Sequence, residues 1–236
     1  MSKFYIFPLS DLHLGAVNCN LDFFNKWCRT FEKAPKNKCI YLLGDLLEFP
    51  TTRIDSYAIN LSTTEALERI IELLYPYKRY IRYVASGNHE IRSMKEFNLD
   101  ITYHIATNFN SKYTKNDFFD TINVGNKKLK VYGKHGTSTS KSPDLAMKNF
   151  KVDMDNIDAD LYMMGHNHYC EFSSKFQRGQ DGGRRKYYAF TGAFLNYENS
   201  YAHDKGYLIS QPSFMRLSVD KKLHVDCKKY YYDEVM

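Results

Sequence analysis

Long hydrophobic runs are missing from this 236-residue sequence. No stretch approaches the ~18 consecutive apolar residues that a membrane-spanning helix requires. The opening residues, MSKFYIFPLSD, also lack the basic segment, apolar core and small-residue cleavage site of a secretory signal. We therefore expect a soluble protein that is not exported and stays in the cytoplasm.

Cysteine is scarce, and its placement excludes two structural classes. The five cysteines are odd in number, and no two of them form a C-x-x-C pair. Neither a disulfide framework nor a zinc knuckle is therefore expected. The cysteines concerned are Cys19, Cys28, Cys39, Cys170 and Cys227. Reduced thiols are their expected state.

The sequence has no strong excess of one charge, and it contains no visible internal repeat or low-complexity tract. The 33 Lys and Arg residues against 27 Asp and Glu give a net charge of +6. This mild basic excess fits a phosphate-bearing partner without requiring one. The length suits one or two domains, and the sequence makes no prediction of oligomeric state.

Short β-rich runs alternate with helical patterns through the first half of the chain. Strands are predicted at Phe4 to Leu9, Cys39 to Leu43 and Tyr80 to Ala85. Asn20 is a suitable N-cap for a helix over LDFFNKWCRTFEK. Ser62 and Glu65 form a capping-box pattern that opens a second helix, which should end near Pro76.

The second half is richer in predicted strands. These are Lys130 to Lys134, Leu161 to Met164, Tyr187 to Thr191, Tyr207 to Ser210, Phe214 to Val219 and Leu223 to Cys227. The segment GQDGGRR, residues 179–185, reads as a hairpin turn or loop. Together the patterns predict an α/β fold with layered, mixed sheets.

Polar residues with metal-binding side chains follow five of the predicted strands. They are Asp11 and His13, Asp45, Asn88, His135, and His166 and His168. Loops at the carboxyl ends of strands converge on the ligand crevice of open α/β sheets. Asp11 and His13, two residues apart in extended chain, should point the same way. These residues span most of the sequence, so one domain over residues 1–236 is expected.

The kind and number of these side chains predict two metal ions. Carboxylate, amide and imidazole ligands together suit Mn, Fe or Zn better than Ca or Mg. A single zinc ion needs only about three or four protein ligands. Seven candidates exceed that number, which favours two ions that share one carboxylate.

In their order along the chain, these motifs resemble those of the calcineurin-like metallophosphoesterases: D-x-H, G-D, G-N-H-E/D, H and G-H-x-H. The matching strings are Asp11-Leu12-His13, Gly44-Asp45, Gly87-Asn88-His89-Glu90, His135 and Gly165-His166-Asn167-His168. Each string alone is weak evidence, but five in the family's order are specific. The later segment TGAFLNYENSYAHDKGY, residues 191–207, is similar to a tail of phage-type predicted phosphoesterases.

The resemblance implies a layered β-sandwich of two mixed sheets flanked by helices, and it implies roles for the motif residues. Asp11, His13 and His168 would hold one metal, Asn88, His135 and His166 the other, and Asp45 would bridge them. His89 would be the catalytic residue that reaches the leaving-group oxygen or the phosphate, and Asn88 would also contact substrate. The implied reaction is attack of a metal-bound hydroxide on a phosphate ester, with manganese favoured over iron or zinc.

Three functions stay open. The first is a phosphodiesterase or nuclease acting on nucleic acid or nucleotide diesters, which the mild basic charge and the G-H-x-H ending favour. The second is a phosphomonoesterase on a nucleotide or other small ester, or cleavage of a lipid-linked pyrophosphate. Protein phosphatases share G-N-H-E but continue G-D with V-D-R-G, whereas Asp45 is followed here by Leu46-Leu47-Glu48-Phe49-Pro50. The third, a non-catalytic scaffold, is least favoured because no ligand is missing.

Several polar residues near the motifs have ordinary structural interpretations as well. Glu48 and Glu90 are interpreted as hydrogen-bond partners or helix-start charges rather than ligands. Arg92, Lys134 and Lys141 either bind substrate phosphate or are solvated. The segment RRKYY, residues 184–188, either contacts nucleic acid or forms an ordinary strand. His203 is the one histidine outside the matched strings that the sequence singles out.

Overall fold

The computed structural model describes residues 3–49, 59–137, 140, 142–179, 182–197 and 211–232. The strand predicted at Tyr207 to Ser210 lies outside the described residues, and so do Lys141 and His203.

Helices occupy five segments of the described chain. They are α1 (Leu21–Lys33), α2 (Thr63–Leu74), α3 (Asn88–Phe97), α4 (Ile101–Phe109) and α5 (Pro143–Asp153), and a 3₁₀ helix follows α2 at Tyr75–Tyr80.

Eleven strands are described. They are β1 (Phe4–Leu9), β2 (Lys38–Leu43), β3 (Ile81–Ala85), β4 (Lys112–Thr114), β5 (Asp117–Val124), β6 (Lys127–Lys134), β7 (Leu161–Met164), β8 (Cys170–Gly179), β9 (Gly182–Ala193), β10 (Ser213–Val219) and β11 (Val225–Tyr231).

The strands form two mixed sheets that are joined by a short contact. The first sheet has the order β4-β3-β2-β1-β10-β11, and the second has the order β5-β6-β7-β9-β8. β1 to β4 run parallel, as do β6, β7 and β9, while the remaining neighbours are antiparallel. The sheets meet where Ser213 pairs with Ala193 and Phe214 pairs with Gly192.

Strand β2 shows how the layers are built. Ile40 and Leu42 face a core shared with α1, α2 and α4. Cys39, Tyr41 and Leu43 face the opposite way, into a core that also receives side chains from β5, β6, β7 and β9. Since strand side chains alternate, an apolar run buries both faces of the strand.

A third core packs α5 against the outer face of the second sheet, through residues such as Phe150, Tyr162 and Phe190. The order of layers is therefore helices, sheet, sheet and helix. This arrangement confirms the predicted α/β sandwich of mixed sheets flanked by helices.

Both predicted helix starts are present. The Asn20 side chain accepts the Phe23 N–H at 2.9 Å, and Ser62 and Glu65 form the reciprocal capping box. α2 ends at Leu74, where Pro76 enters the following 3₁₀ turn. Among the described residues, no helix is long and apolar enough to cross a membrane.

Three strands and three helices were not predicted: β4, β5, β8, α3, α4 and α5. The predicted hairpin around residues 179–185 is consistent with β8 and β9, which pair antiparallel with Gly179 opposite Gly182. The prediction that the last strand starts at Leu223 was wrong. Leu223 donates its N–H to the Asp220 carbonyl in a turn, and its φ is 68°, so pairing begins at Val225.

Candidate metal centre

The predicted ligands lie at one rim of the sandwich, beyond the carboxyl ends of β1, β2, β3, β6 and β7. β1 ends at Leu9 and β2 at Leu43, two residues before Asp11 and Asp45 respectively. Asn88 is the first residue of α3, just after β3. His135 directly follows β6, and His166 follows β7 by two residues. The structure therefore brings all seven predicted ligands to the same rim.

Five of these seven residues have left-handed backbone conformations. Their φ values are 53° for Asp11, 48° for His13, 49° for Asp45, 67° for His166 and 58° for His168. The expectation that Asp11 and His13 share an extended segment is therefore wrong. Residues other than glycine adopt this region at a cost, and such strain concentrates at functional sites.

Backbone hydrogen bonds hold the first two loops in this strained form. The Asp11 N–H donates to the Gly44 carbonyl at 3.1 Å, and the His13 N–H donates to the Asp45 carbonyl at 3.0 Å. Close approach also requires glycine nearby. A Cβ on Gly87 would lie 2.1 Å from Asp45 Oδ1, which is too close for any side chain.

Asp11, His13 and His168 form the first group, with one ligand atom from each within 4.8 Å of the others. His168 Nε2 is 3.3 Å from Asp11 Oδ1. The His166 backbone N–H donates to both Asp11 oxygens, at 3.1 and 3.0 Å. Asp11 is fully buried, so these contacts fix its carboxylate in place.

His135 and His166 form the second group together with Asp45. His135 Nδ1 donates to the Leu43 carbonyl at 2.8 Å, which leaves Nε2 directed into the site. That Nε2 is 3.1 Å from Asp45 Oδ2 and 3.2 Å from His166 Nδ1. Asn88 Oδ1 lies 3.0 Å from His135 Nε2 and 2.8 Å from His166 Nδ1.

Asp45 belongs to the second group and also approaches the first. Its Oδ2 is 3.1 Å from His135 Nε2 of the second group and 3.9 Å from His13 Nε2 of the first. Its Oδ1 accepts the His89 backbone N–H at 2.9 Å. This buried carboxylate can therefore reach a cation in either group.

The charges of the cluster favour ionised carboxylates. Burial alone would raise the pKa of Asp45, but His135, His13 and His89 outweigh it and hold the pKa well below its usual range. Burial would also raise the pKa of Asp11, but the contact with His168 outweighs burial and lowers that pKa. Burial opposes the charged form of His135, yet Asp45 and Asp11 raise its pKa to about 9.

One atom of the cluster tests whether a metal fits. His13 Nδ1 is 2.9 Å from Glu48 Oε2, so in the neutral ring Nδ1 donates this hydrogen bond and Nε2 presents the lone pair. Among the described residues, this buried Nε2 has no hydrogen-bond partner. A buried unpaired acceptor is costly unless a ligand satisfies it. Together with the carboxylate, amide and imidazole donors around it, the site fits divalent cations.

Glu48 connects His13 with His89. Its Oε1 is 2.8 Å from His89 Nδ1, while its Oε2 holds His13. Burial opposes ionisation, but both histidines lower the pKa of Glu48 to about 2. This geometry fits the interpretation of Glu48 as a hydrogen-bond partner of the site.

His89 stands at the edge of the cluster, with Nε2 3.9 Å from Asp45 Oδ2. Burial would lower its pKa, but Glu48 and Asp45 raise it. Arg92 Nη1 approaches His89 Nδ1 at 3.4 Å, and Arg92 is half-buried.

Glu90 has a structural role. Its buried carboxylate accepts the backbone N–H groups of Gly87, Asp45, Leu46 and Leu47 at 2.7 to 3.2 Å. Burial and Asp45 raise its pKa. Glu90 therefore joins the second and third motif loops and is not available as a ligand.

The RRKYY segment is an ordinary part of β9. Arg184 pairs with Asp158, and Arg185 Nη1 donates to Ser174 Oγ at 3.0 Å. Lys186 is buried and donates to the Ile157 carbonyl at 3.2 Å. These intramolecular contacts favour the strand interpretation over nucleic-acid contact.

The sequence model of the calcineurin-like phosphoesterase family matches residues 5–170. This chain belongs to that family, and it is a metal-dependent phosphoric ester hydrolase. No curated protein matches the sequence.

Three solved structures are similar to this chain at low sequence identity. Vacuolar Protein Sorting 29 of Cryptosporidium parvum is 14% identical, covering 97% of this chain and 98% of that one, with a TM-score of 0.48. A conserved Streptococcus pneumoniae protein described as a predicted phosphoesterase is 13% identical over 98% and 99%, with a TM-score of 0.42. A hypothetical protein from Thermus thermophilus is 11% identical over 97% and 99%, with a TM-score of 0.47.

Proposed function

We propose that this chain is a phosphodiesterase with two metal ions that acts on nucleic acid or nucleotide diesters. One observation carries the proposal: two groups of ligating side chains lie side by side, and Asp45 lies within 3.1 Å of one group and 3.9 Å of the other. Manganese is the proposed ion, with iron or zinc as alternatives, and the mixed imidazole and carboxylate ligands suit all three.

Each motif residue has a proposed role in this site. Asp11, His13 and His168 would hold the first ion, Asn88, His135 and His166 would hold the second, and Asp45 would be the ligand that they share. When bound, the two ions lower the pKa of water and neutralise phosphoryl oxygens. His13 and His135 present Nε2 because their Nδ1 atoms donate to Glu48 and to the Leu43 carbonyl.

His89 is the proposed general acid or hydrogen-bond donor toward the leaving group. Its Nδ1 is held by Glu48 at 2.8 Å, so Nε2 is the atom free to meet substrate. A positioned acid of this kind contributes roughly 10²- to 10⁴-fold to the rate. Asn88, at the start of α3, is proposed to contact substrate as well as metal.

A diester is favoured over a protein phosphomonoester by the segment after Asp45. Where protein phosphatases have V-D-R-G, this chain has Leu46-Leu47-Glu48-Phe49, and no arginine follows the motif at that position. A small phosphomonoester is the second candidate, and it shares the same ligands.

The test is an assay of purified protein with Mn²⁺ on a monoester, a diester and a single-stranded oligonucleotide. We expect hydrolysis of the diester and the oligonucleotide, and a loss of roughly 10²- to 10⁴-fold in kcat for His89→Asn with unchanged metal content. His104→Asn, an exposed histidine on α4, is the matched control. Hydrolysis of the monoester alone would overturn the diesterase proposal, and full activity of His89→Asn would overturn the role of His89.

A further inference from the structure

A cleft separates α5 from the start of β8. It encloses about 440 Å³ and has both lysine and apolar side chains in its lining. The basic residues are Lys148 and Lys151 on α5 and Lys175 on β8. None of the seven predicted metal ligands lines it, so it is separate from the metal cluster.

The topology directs this cleft away from the metal rim. α5 connects the parallel strands β6 and β7, whose carboxyl ends carry His135 and His166. α5 must therefore begin at the rim and run back along the sheet. β8 begins at Cys170, opposite Thr191, and Thr191 Oγ1 is 2.6 Å from the Oγ of Ser10, the neighbour of Asp11. The cleft thus starts at the level of the metal ligands.

The lysines lie some way down the cleft. Lys151 is eight residues into α5 from Pro143, or about 12 Å at roughly 1.5 Å per residue. The Lys151 ammonium donates a hydrogen bond to Ser173 Oγ at 2.6 Å. Ser173 is three residues into β8 from Cys170, or about 10 Å along the strand. A small ester bound at the metals would not reach these groups.

The charges of the cleft leave two lysines uncompensated. Lys175 pairs with Asp155 at 2.9 Å, and Glu171 is held by Lys229 at 2.7 Å. In the described part of the chain, Lys148 and Lys151 form no ion pair, and Asp144 at the mouth is the remaining acid in the lining. Lys130, by contrast, pairs with Asp158.

We propose that this α5–β8 cleft binds the phosphates of a single-stranded nucleic acid on one side of the ester that is cleaved at the metal rim. This inference rests on the proposed diesterase function. A groove with unpaired lysines suits a flexible strand, because its phosphates can meet the ammonium groups. The exposed Val152 provides apolar surface here.

The first experiment measures binding without catalysis. The full chain is titrated against a fluorescently labelled single-stranded DNA oligonucleotide by anisotropy, in EDTA and over a series of salt concentrations. For the double variant Lys148→Gln/Lys151→Gln we expect about 10-fold weaker binding at low salt. The slope of log K against log salt should fall by about 1.4, or about 0.7 for each phosphate that no longer meets a lysine. Lys127→Gln/Lys128→Gln removes the same charge from exposed residues at the start of β6 and should change neither quantity.

The second experiment separates this inference from the proposed function. With Mn²⁺, the double variant should lose about 10-fold in kcat/KM on the oligonucleotide and keep kcat/KM on bis(p-nitrophenyl) phosphate within about two-fold. If the double variant, the control and the wild type bind the oligonucleotide equally, the proposal that the cleft binds nucleic acid is overturned. So would a wild type that cleaves the small diester but does not bind the oligonucleotide. If no diester is cleaved, the proposed function fails, and the EDTA binding series still decides the inference.

Discussion

At the scale of single residues, the site depends on histidine rings that are oriented by hydrogen bonds at Nδ1. His13, His89 and His135 each have their Nδ1 engaged, by Glu48 in two cases and by the Leu43 carbonyl in the third. Such contacts fix the ring orientation and the tautomer, and partners of this kind affect metal affinity strongly. The Nε2 atoms are therefore preorganised before any ion or substrate arrives.

Glu48→Gln tests this positioning. A glutamine can accept a hydrogen bond from one imidazole, but it lacks the negative charge and the second carboxylate oxygen that hold two imidazoles. We therefore expect Mn²⁺ affinity to fall about 10- to 100-fold. Isothermal titration calorimetry measures the affinity. Glu68→Gln, on the exposed side of α2, should bind Mn²⁺ as the wild type does. Unchanged Mn²⁺ affinity in Glu48→Gln would show that the carboxylate does not support His13.

Gly87→Ala tests the close approach of two loops. The new Cβ would meet Asp45 Oδ1 at 2.1 Å and the Asp45 backbone nitrogen at 2.3 Å, so the loops must separate. We expect a variant that folds, as judged by circular dichroism, but that binds Mn²⁺ with much lower affinity and loses at least about 10²-fold in kcat. Gly182→Ala, where nothing lies within 4 Å of the added Cβ but φ is 104°, controls for the backbone strain of a glycine replacement outside the site. Wild-type metal binding by Gly87→Ala would contradict the tight contact.

At the scale of secondary-structure elements, an ion pair joins the two sheets away from the site. Asp120 on β5 accepts from Arg82 Nε of β3 at 2.5 Å and from the Tyr41 hydroxyl of β2 at 2.7 Å. Burial would raise the pKa of Asp120, but Arg82 and Tyr41 outweigh it and lower the pKa. The ionised carboxylate therefore stabilises the folded protein.

Asp120→Asn should lower the free energy of unfolding by about 1–3 kcal/mol at neutral pH, because the variant lacks buried hydrogen bonds to a charged group. A group with a lowered pKa stabilises the fold above its ordinary value of 3.8 and loses that effect as pH falls through the folded-state pKa. The difference between variant and wild type should therefore shrink below about pH 4. Urea unfolding across pH measures it. Asp226→Asn, in the exposed pair with Lys3, should leave the free energy of unfolding nearly unchanged, and an equal loss in both variants would contradict the role of Asp120.

Sequence patterns predicted the helices and strands that have strong local signals. Asn20 and the Ser62–Glu65 capping box mark α1 and α2 because their side chains satisfy free backbone N–H groups. α3 was missed because its first turn is the Gly87-Asn88-His89-Glu90 motif itself, so no separate cap precedes it. β8 was missed because it is largely polar and exposed and pairs only with β9 among the described strands.

The convergence of the ligands could be predicted, but the backbone that produces it could not. Parallel strands carry Asp11, Asp45 and Asn88 to one rim, which follows from strand direction alone. The left-handed conformations of Asp11 and His13 depend on hydrogen bonds to Gly44 and Asp45, which lie more than thirty residues away. Local sequence carries no information on such contacts.

At the scale of the whole molecule, two sheets bring distant parts of the chain to one site. The first sheet carries Asp11, His13, Asp45 and Asn88, and the second carries His135, His166 and His168. The groups are mixed between the sheets, since His168 joins Asp11 and His13, while His135 and His166 join Asp45. Packing of one sheet on the other is therefore a condition for assembling either group.

The central claim is that two ions share Asp45, and anomalous scattering from crystals grown with Mn²⁺ tests it most directly. We expect two peaks about 3.5–4 Å apart, one beside Asp11, His13 and His168 and one beside Asn88, His135 and His166. Both should contact the Asp45 carboxylate. A single peak, or two peaks with no common ligand, would contradict the claim.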